Sequence, residues 1–156
     1  MKKLLFIFIF LTFFALVLFS LFDINRVAGV YMEPTIKSGQ IVVFRKFGLN
    51  NIQRGDIVLY NAQSQNDYIR RIVGLPTESV RVENGNLYLD NNAGQYKVIE
   101  DYLSQDSKTY ATDEDEWVKI GEFQYLGLPD NRSNKVTLTS DFINKNDIKG
   151  ILFMKL

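Results

Sequence analysis

The sequence predicts an all-β domain behind one apolar N-terminal helix. Three observations carry this. Leu4 to Phe22 holds no charged side chain. Beyond it, short runs rich in Val, Ile, Leu, Tyr and Phe recur, separated by Gly, Asn, Asp and Pro. And Val80-Arg81-Val82-Glu83-Asn84-Gly85-Asn86-Leu87-Tyr88-Leu89 alternates apolar and polar residues on both sides of Asn84-Gly85, a pair suited to the positive φ angles of a type I′ hairpin turn. Many short strands with few helical periods imply an antiparallel sandwich or barrel.

The apolar run comes first. At roughly 1.5 Å per residue, Leu4 to Phe22 makes a helix of about 28 Å, close to the hydrocarbon thickness of a bilayer. A helix apolar on every face has no polar side to turn to water, which argues against a place in a soluble core. Lys2 and Lys3 give it a basic start, but Phe19-Ser20-Leu21-Phe22-Asp23 offers no small-x-small cleavage site, so the segment reads as an uncleaved anchor. The positive-inside rule then keeps residues 1–3 cytoplasmic, makes 4–22 the transmembrane anchor and places 26–156 on the extracytoplasmic side.

The domain follows in order. Arg26 to Val30 is an entering strand. Met32 to Ser38, broken by Pro34, is a loop. Strands are expected at Ile41–Phe44, Ile57–Tyr60 and Tyr68–Val73, the last closed by Gly74-Leu75-Pro76. Asn61 to Asn66 is a polar exposed loop. The Asn84-Gly85 hairpin comes next, then a polar irregular stretch from Asn91 to Asp115. Its acid run, Asp113 to Glu116, reads as a solvated loop, because contiguous like charges repel and do not by themselves converge on a metal. Trp117-Val118, Phe123–Leu126 and Ile151–Met154 are further strands, with a polar turn over Asn144–Gly150.

Composition removes several kinds of chemistry. The sequence has neither Cys nor His. That excludes a thiol nucleophile, thiolate zinc sites and any Ser-His-Asp triad. Taking Lys2 and Lys3 from the 18 basic residues leaves 16 against 18 acidic ones, a poor balance for binding nucleic acid. No metal-ligand spacing and no Gly-rich phosphate loop is present, and no cofactor is expected.

Four segments in order resemble the type I signal peptidases, the S26 family. Gly29-Val30-Tyr31-Met32-Glu33-Pro34-Thr35-Ile36 is similar to the family's nucleophile box, Ser-Met-x-Pro-Thr-Leu, except at Tyr31. Gly55-Asp56-Ile57-Val58 matches the segment that follows. Asp67-Tyr68-Ile69-Arg70-Arg71-Ile72-Val73-Gly74-Leu75-Pro76 matches the box with the catalytic lysine, which is Arg70 here. Asp130-Asn131-Arg132 matches the Gly-Asp-Asn-Arg box, with Pro129 where Gly is usual. The family's following Asp-Ser-Arg is absent, and Asp147-Ile148-Lys149-Gly150 resembles its final Asp-Ile-x-Gly.

The resemblance implies a membrane-bound serine peptidase whose two reacting groups are replaced. In the family a neutral, buried lysine takes the proton of the serine hydroxyl. An arginine stays charged and has no lone pair to accept that proton. The phenol oxygen of Tyr31 lies several ångströms farther from the backbone than a serine hydroxyl, so it does not occupy the attack position. Ser38 lies seven residues from the matched position, and Lys37 and Lys46 read as exposed. Asp56 sits in a turn, Asp67 starts a strand, and Asp130 with Arg132 is expected to form a structural ion pair. By match to the family, Met32, Ile36, Tyr68 and Ile69 either line a peptide-binding cleft or belong to the core.

Three functions follow from the resemblance. The first is a non-catalytic binding or chaperone protein acting on an exported polypeptide, as in signal-peptidase-like proteins of Gram-positive pilus clusters, where the partner is a pilin or a sortase. The second is an active, divergent signal peptidase. The third is an inert paralogue competing for substrates.

Overall fold

The structure is a computed structural model, and it describes residues 2–62, 66–91, 93–105, 107–113 and 116–156. The apolar run forms helix α1, Lys2–Leu21. Its span Lys3–Leu21 has a mean hydropathy of 3.0 and none of it is buried by the rest of the chain. An exposed helix of that length and composition fits a membrane anchor.

After the helix the named strands all pair antiparallel, as the alternating patterns imply. Seven strands form the larger sheet: β1 (Phe22–Arg26), β2 (Ile41–Arg45), β3 (Ile57–Asn61), β4 (Asp67–Gly74), β9 (Gln124–Leu128), β10 (Phe142–Asn144) and β11 (Ile148–Lys155). The smaller sheet holds β5 (Ser79–Glu83), β6 (Asn86–Asn91), β7 (Gly94–Lys97) and β8 (Val118–Lys119). Their spatial orders are β1-β2-β11-β3-β4-β9-β10 and β7-β6-β5-β8. A one-turn 3₁₀ helix, Lys145–Asp147, occupies the polar turn before β11.

The hairpin forms as expected. Glu83 faces Asn86 across the turn, and Asn84 and Gly85 take φ of 51° and 79°. Val80, Val82, Leu87 and Leu89 point inward from it and join Val73, Leu126 and Leu128 of the larger sheet in one core. A second core lies under the residue 30–36 turn, where Met32, Ile36, Val42, Phe44, Ile57 and Leu59 pack together.

The entering strand lies earlier than expected. It covers Phe22–Arg26, pairs with β2 from Phe22↔Arg45 to Arg26↔Ile41, and so follows the helix without a linker. Residues 27–30 instead lead into the turn. Two further strands, β7 and β10, fall where no strand was expected, since β7 is exposed throughout and β10 has only three residues. Of the acid run, Glu114 and Asp115 lie outside the described residues, as do residues 63–65 of the polar loop before β4. Where α1 meets the sheet, Leu18, Phe19, Phe22, Ile24, Phe153 and Met154 line an apolar groove of about 330 Å³.

Candidate functional site

The nucleophile-box turn lies over the larger sheet because its apolar side chains are drawn under it. The Ile36 N–H donates to the Met32 carbonyl at 2.8 Å, closing one turn. That places Met32 (2% exposed) and Ile36 (0%) on the buried side, and leaves Tyr31 outside at 55%. The Glu33–Pro34 peptide is cis.

Asn131 fixes this turn from outside. Its backbone N–H donates to the Tyr31 carbonyl at 2.9 Å, and its side-chain amide donates to the Val30 carbonyl at 3.2 Å. Its neighbour Asp130 holds the other end of the site. Arg71 Nε and Nη2 donate to Asp130 Oδ1 and Oδ2 at 2.9 and 2.6 Å, a bidentate pair. Arg71 also donates to the Gly55 carbonyl at 2.9 Å and to Thr35 Oγ1 at 3.1 Å. Its guanidinium carbon lies 4.0 Å from the ring centre of Tyr102. One buried arginine thus joins four of the five motif segments named above, all but Asp147–Gly150.

The expected Asp130–Arg132 ion pair is not formed, and this is a correction. Asp130 pairs with Arg71, and Arg132 pairs with Glu100 at 2.6 Å. Arg132 also donates to Thr109 Oγ1 at 3.0 Å. Both side chains are buried, and each takes an oppositely charged partner from a distant segment, bidentate for Asp130 with Arg71 and through Nη2 for Arg132 with Glu100. Glu100 Oε1 accepts the Tyr102 hydroxyl at 2.5 Å as well. Burial, and then the Glu100 carboxylate, push the Tyr102 phenol far above its ordinary range. Nothing in the sequence pointed to Arg71, Glu100 or Tyr102 as a group. Only the adjacent match at Arg70 and the motif at Asp130 marked the neighbourhood.

The positions assigned to nucleophile and base do come together. The Arg70 guanidinium carbon lies 5.5 Å from the ring centre of Tyr31 and 5.9 Å from that of Tyr68. Both distances are in cation–π range. Gly127 lets Ile143 pack close behind Arg70, since a Cβ there would lie 2.2 Å from Ile143 Cδ1 and 3.2 Å from Arg70 Cβ. Beside the pair is a cavity of about 220 Å³, with Met32, Leu59 and Ile69 on its apolar side and Arg26, Tyr31 and Arg70 among its polar ones. Tyr68 lines it too. Ile36 does not. It is a core residue beneath the turn, packed with Val42 and Phe44, so its expected place in a cleft is corrected. Arg26 belongs to the outermost strand β1, and β9 pairs with β4 only from Arg71 onward. The cavity therefore lies between two strand stretches with open sides.

Among the described residues, the other side chains the sequence offered as reacting groups are exposed or already engaged. Lys37, Lys46 and Ser38 are exposed, as the sequence suggested. Asp56 accepts from the Gln53 backbone N–H at 2.8 Å in its turn, and Asp67 pairs with Lys149 at 2.7 Å. Among the described residues no group of three or more His, Cys, Asp or Glu is placed to hold a metal.

Asp141 is the perturbed carboxyl near Arg70. Burial raises its pKa above the ordinary 3.8, against the opposing pull of Arg70. The proton it retains contributes stability that is fully present below 3.8 and lost as pH rises through the higher folded value. Asp141→Asn keeps a neutral group at every pH. Its stability relative to the parent should therefore rise from pH 3.5 to pH 7 in urea unfolding. A difference that is flat, or that falls over this window, would refute the assignment.

An antiparallel β domain behind an apolar helix, with Tyr31 and Arg70 facing each other beside a cavity, is that of a signal-peptidase-like protein. The comparisons give the family. The signal peptidase (peptidase S26) family model matches residues 1–151, and the chain belongs to that family. It is similar to signal peptidase I P of Bacillus subtilis subsp. natto, at 29% identity over 84% of this chain and 75% of that protein. It is also similar to signal peptidase I T of Bacillus subtilis strain 168, at 31% identity over 74% of this chain and 63% of the relative. The crystal structure of a signal peptidase I from Enterococcus faecalis V583 has the same fold, with a TM-score of 0.52, 21% identity, and coverage of 66% of this chain and 97% of that one.

Proposed function

We propose that this chain is a non-catalytic S26 protein that holds an exported polypeptide in the cleft beside Tyr31 and Arg70. The observation that carries the reading is the pairing of those two side chains at 5.5 Å. A guanidinium has no lone pair to act as base, and an aromatic ring stands where a small hydroxyl would attack. What remains is a cleft between open strand edges, suited to an extended chain by added backbone hydrogen bonds. The helix α1 would anchor the protein with Lys2 and Lys3 on the cytoplasmic side and the β domain outside. The apolar groove at the base of the helix would then lie against the bilayer. The partner on this reading is a pilin or another exported polypeptide, with a sortase as the enzyme served.

The test is incubation of the full chain in detergent with a small-x-small signal-peptide substrate, beside an active signal peptidase, read by mass spectrometry. No specific product is expected. A single cut after the small residue that disappears in Tyr31→Phe would overturn the reading and make this an active peptidase.

A further inference from the structure

Arg70 differs from most of the arginines around it, although Arg26, which lines the same cavity, also has no carboxylate partner among the described residues and donates its Nε to the Gly39 carbonyl at 3.1 Å. Arg54, Arg71, Arg81 and Arg132 each contact a carboxylate at 2.6 to 2.7 Å. Arg70 forms no ion pair among the described residues. Its Nη1 donates to the Ile69 carbonyl at 2.9 Å, while its Nε is buried and, like those of Arg81 and Arg132, has no hydrogen-bond partner among the described residues. Asp141 is near enough to be felt but makes no contact with it. The comparison with Arg71 is direct, because Arg71 uses its Nε/Nη2 edge to grip both oxygens of Asp130. The same edge of Arg70 finds no acceptor among the described residues.

We infer that Arg70 is a carboxylate-recognition residue, and that the cavity beside it takes an acidic group of the bound polypeptide. The proposal rests on the cleft reading above and specifies its ligand. A cavity of about 220 Å³ is below the usual 300–1,000 Å³ of small-molecule sites, so it suits one side chain or a chain terminus. A neutral ligand would cover the Arg70 charge and leave its donors unmatched, which is costly. A carboxylate completes a two-bond fork and neutralises the charge. Nε has no exposed surface in this state, so on this proposal a side chain over it moves on binding, and the Tyr31 ring, more than half exposed and 5.5 Å from the guanidinium carbon, is placed to do so. Two carboxylate sources share this chemistry, a Glu or Asp side chain and a free C-terminus.

The experiment titrates the full chain in detergent micelles, labelled with ¹⁵N-arginine, with four short peptides. They are acetyl-Ala-Glu-Ala-amide, acetyl-Ala-Gln-Ala-amide, acetyl-Ala-Ala-Ala with a free carboxyl terminus, and its amide. One acidic peptide should bind about 10- to 100-fold more tightly than its neutral counterpart and shift the Arg70 Nε–H resonance. Which of the two does so identifies side chain or terminus as the source. The preference should vanish in Arg70→Gln and survive in part in Arg70→Lys, which keeps the charge and loses the fork. Equal binding of acidic and neutral peptides would overturn the inference and leave the cleft reading standing. A failure of all four to bind would overturn both.

Discussion

Asp130→Ala should destabilise the protein by about 3–5 kcal/mol, because it leaves the Arg71 charge buried and unpaired. Asp130 is 1% exposed and Arg71 9%, so water does not readily replace the lost partner. Arg71→Met should cost a similar amount. It strands the Asp130 carboxylate and frees the Gly55 carbonyl and the Thr35 hydroxyl together. Arg71→Lys should fall between, since an ammonium keeps the charge but cannot span both carboxylate oxygens and two further acceptors. The double variant Arg71→Met with Asp130→Ala should cost less than the two single changes combined, by about 0.5–3 kcal/mol, because neither charge is then stranded. Denaturant unfolding of the four variants measures this. An Asp130→Ala variant within about 0.5 kcal/mol of the parent would show that the pair is a surface-like contact.

The same pair shows what the sequence could and could not reveal. Periodicity gave the fold class and most strands, because the Asn84-Gly85 hairpin and the runs at Ile41, Ile57 and Tyr68 carry their pattern locally. The entering strand was misplaced for a local reason too. Phe22 reads as the end of the apolar helix, and the alternation Phe22-Asp23-Ile24-Asn25 that marks the strand is too short to stand out beside so long an apolar run. The motif matches located Tyr31, Arg70 and Asp130 but could not pair them. Asp130 lies 59 residues from Arg71 in sequence, and Arg132 lies 32 from Glu100. An acid and a base two positions apart look like partners in a sequence, whereas the fold brings each a better partner from another strand or loop. Ile36 failed for the complementary reason. Its place in a motif says that it lies near the site, and only the closed turn from Met32 shows that its side chain turns away from it.

Restoring both lost groups should have the largest effect on activity. Tyr31→Ser alone should remain silent, because Arg70 still cannot accept the hydroxyl proton. Arg70→Lys alone should also remain silent, because the nucleophile is still a misplaced phenol. The double variant Tyr31→Ser with Arg70→Lys should cut a small-x-small substrate at a rate at least about 10²-fold above either single variant, the lower end of what a positioned general base contributes. The geometry favours the pairing, since Tyr31 and Arg70 already face each other and the dry Nε of Arg70 marks a place where an amine is partly desolvated. Desolvation lowers a lysine pKa and the nearby Asp141 raises it again, so the rate should climb with pH until the lysine is neutral. Such strong non-additivity is the mark of two groups acting as one unit. A folded double variant as silent as the singles would mean that Tyr31 and Arg70 do not occupy the reacting positions, and the non-catalytic reading would then need a basis other than their replacement.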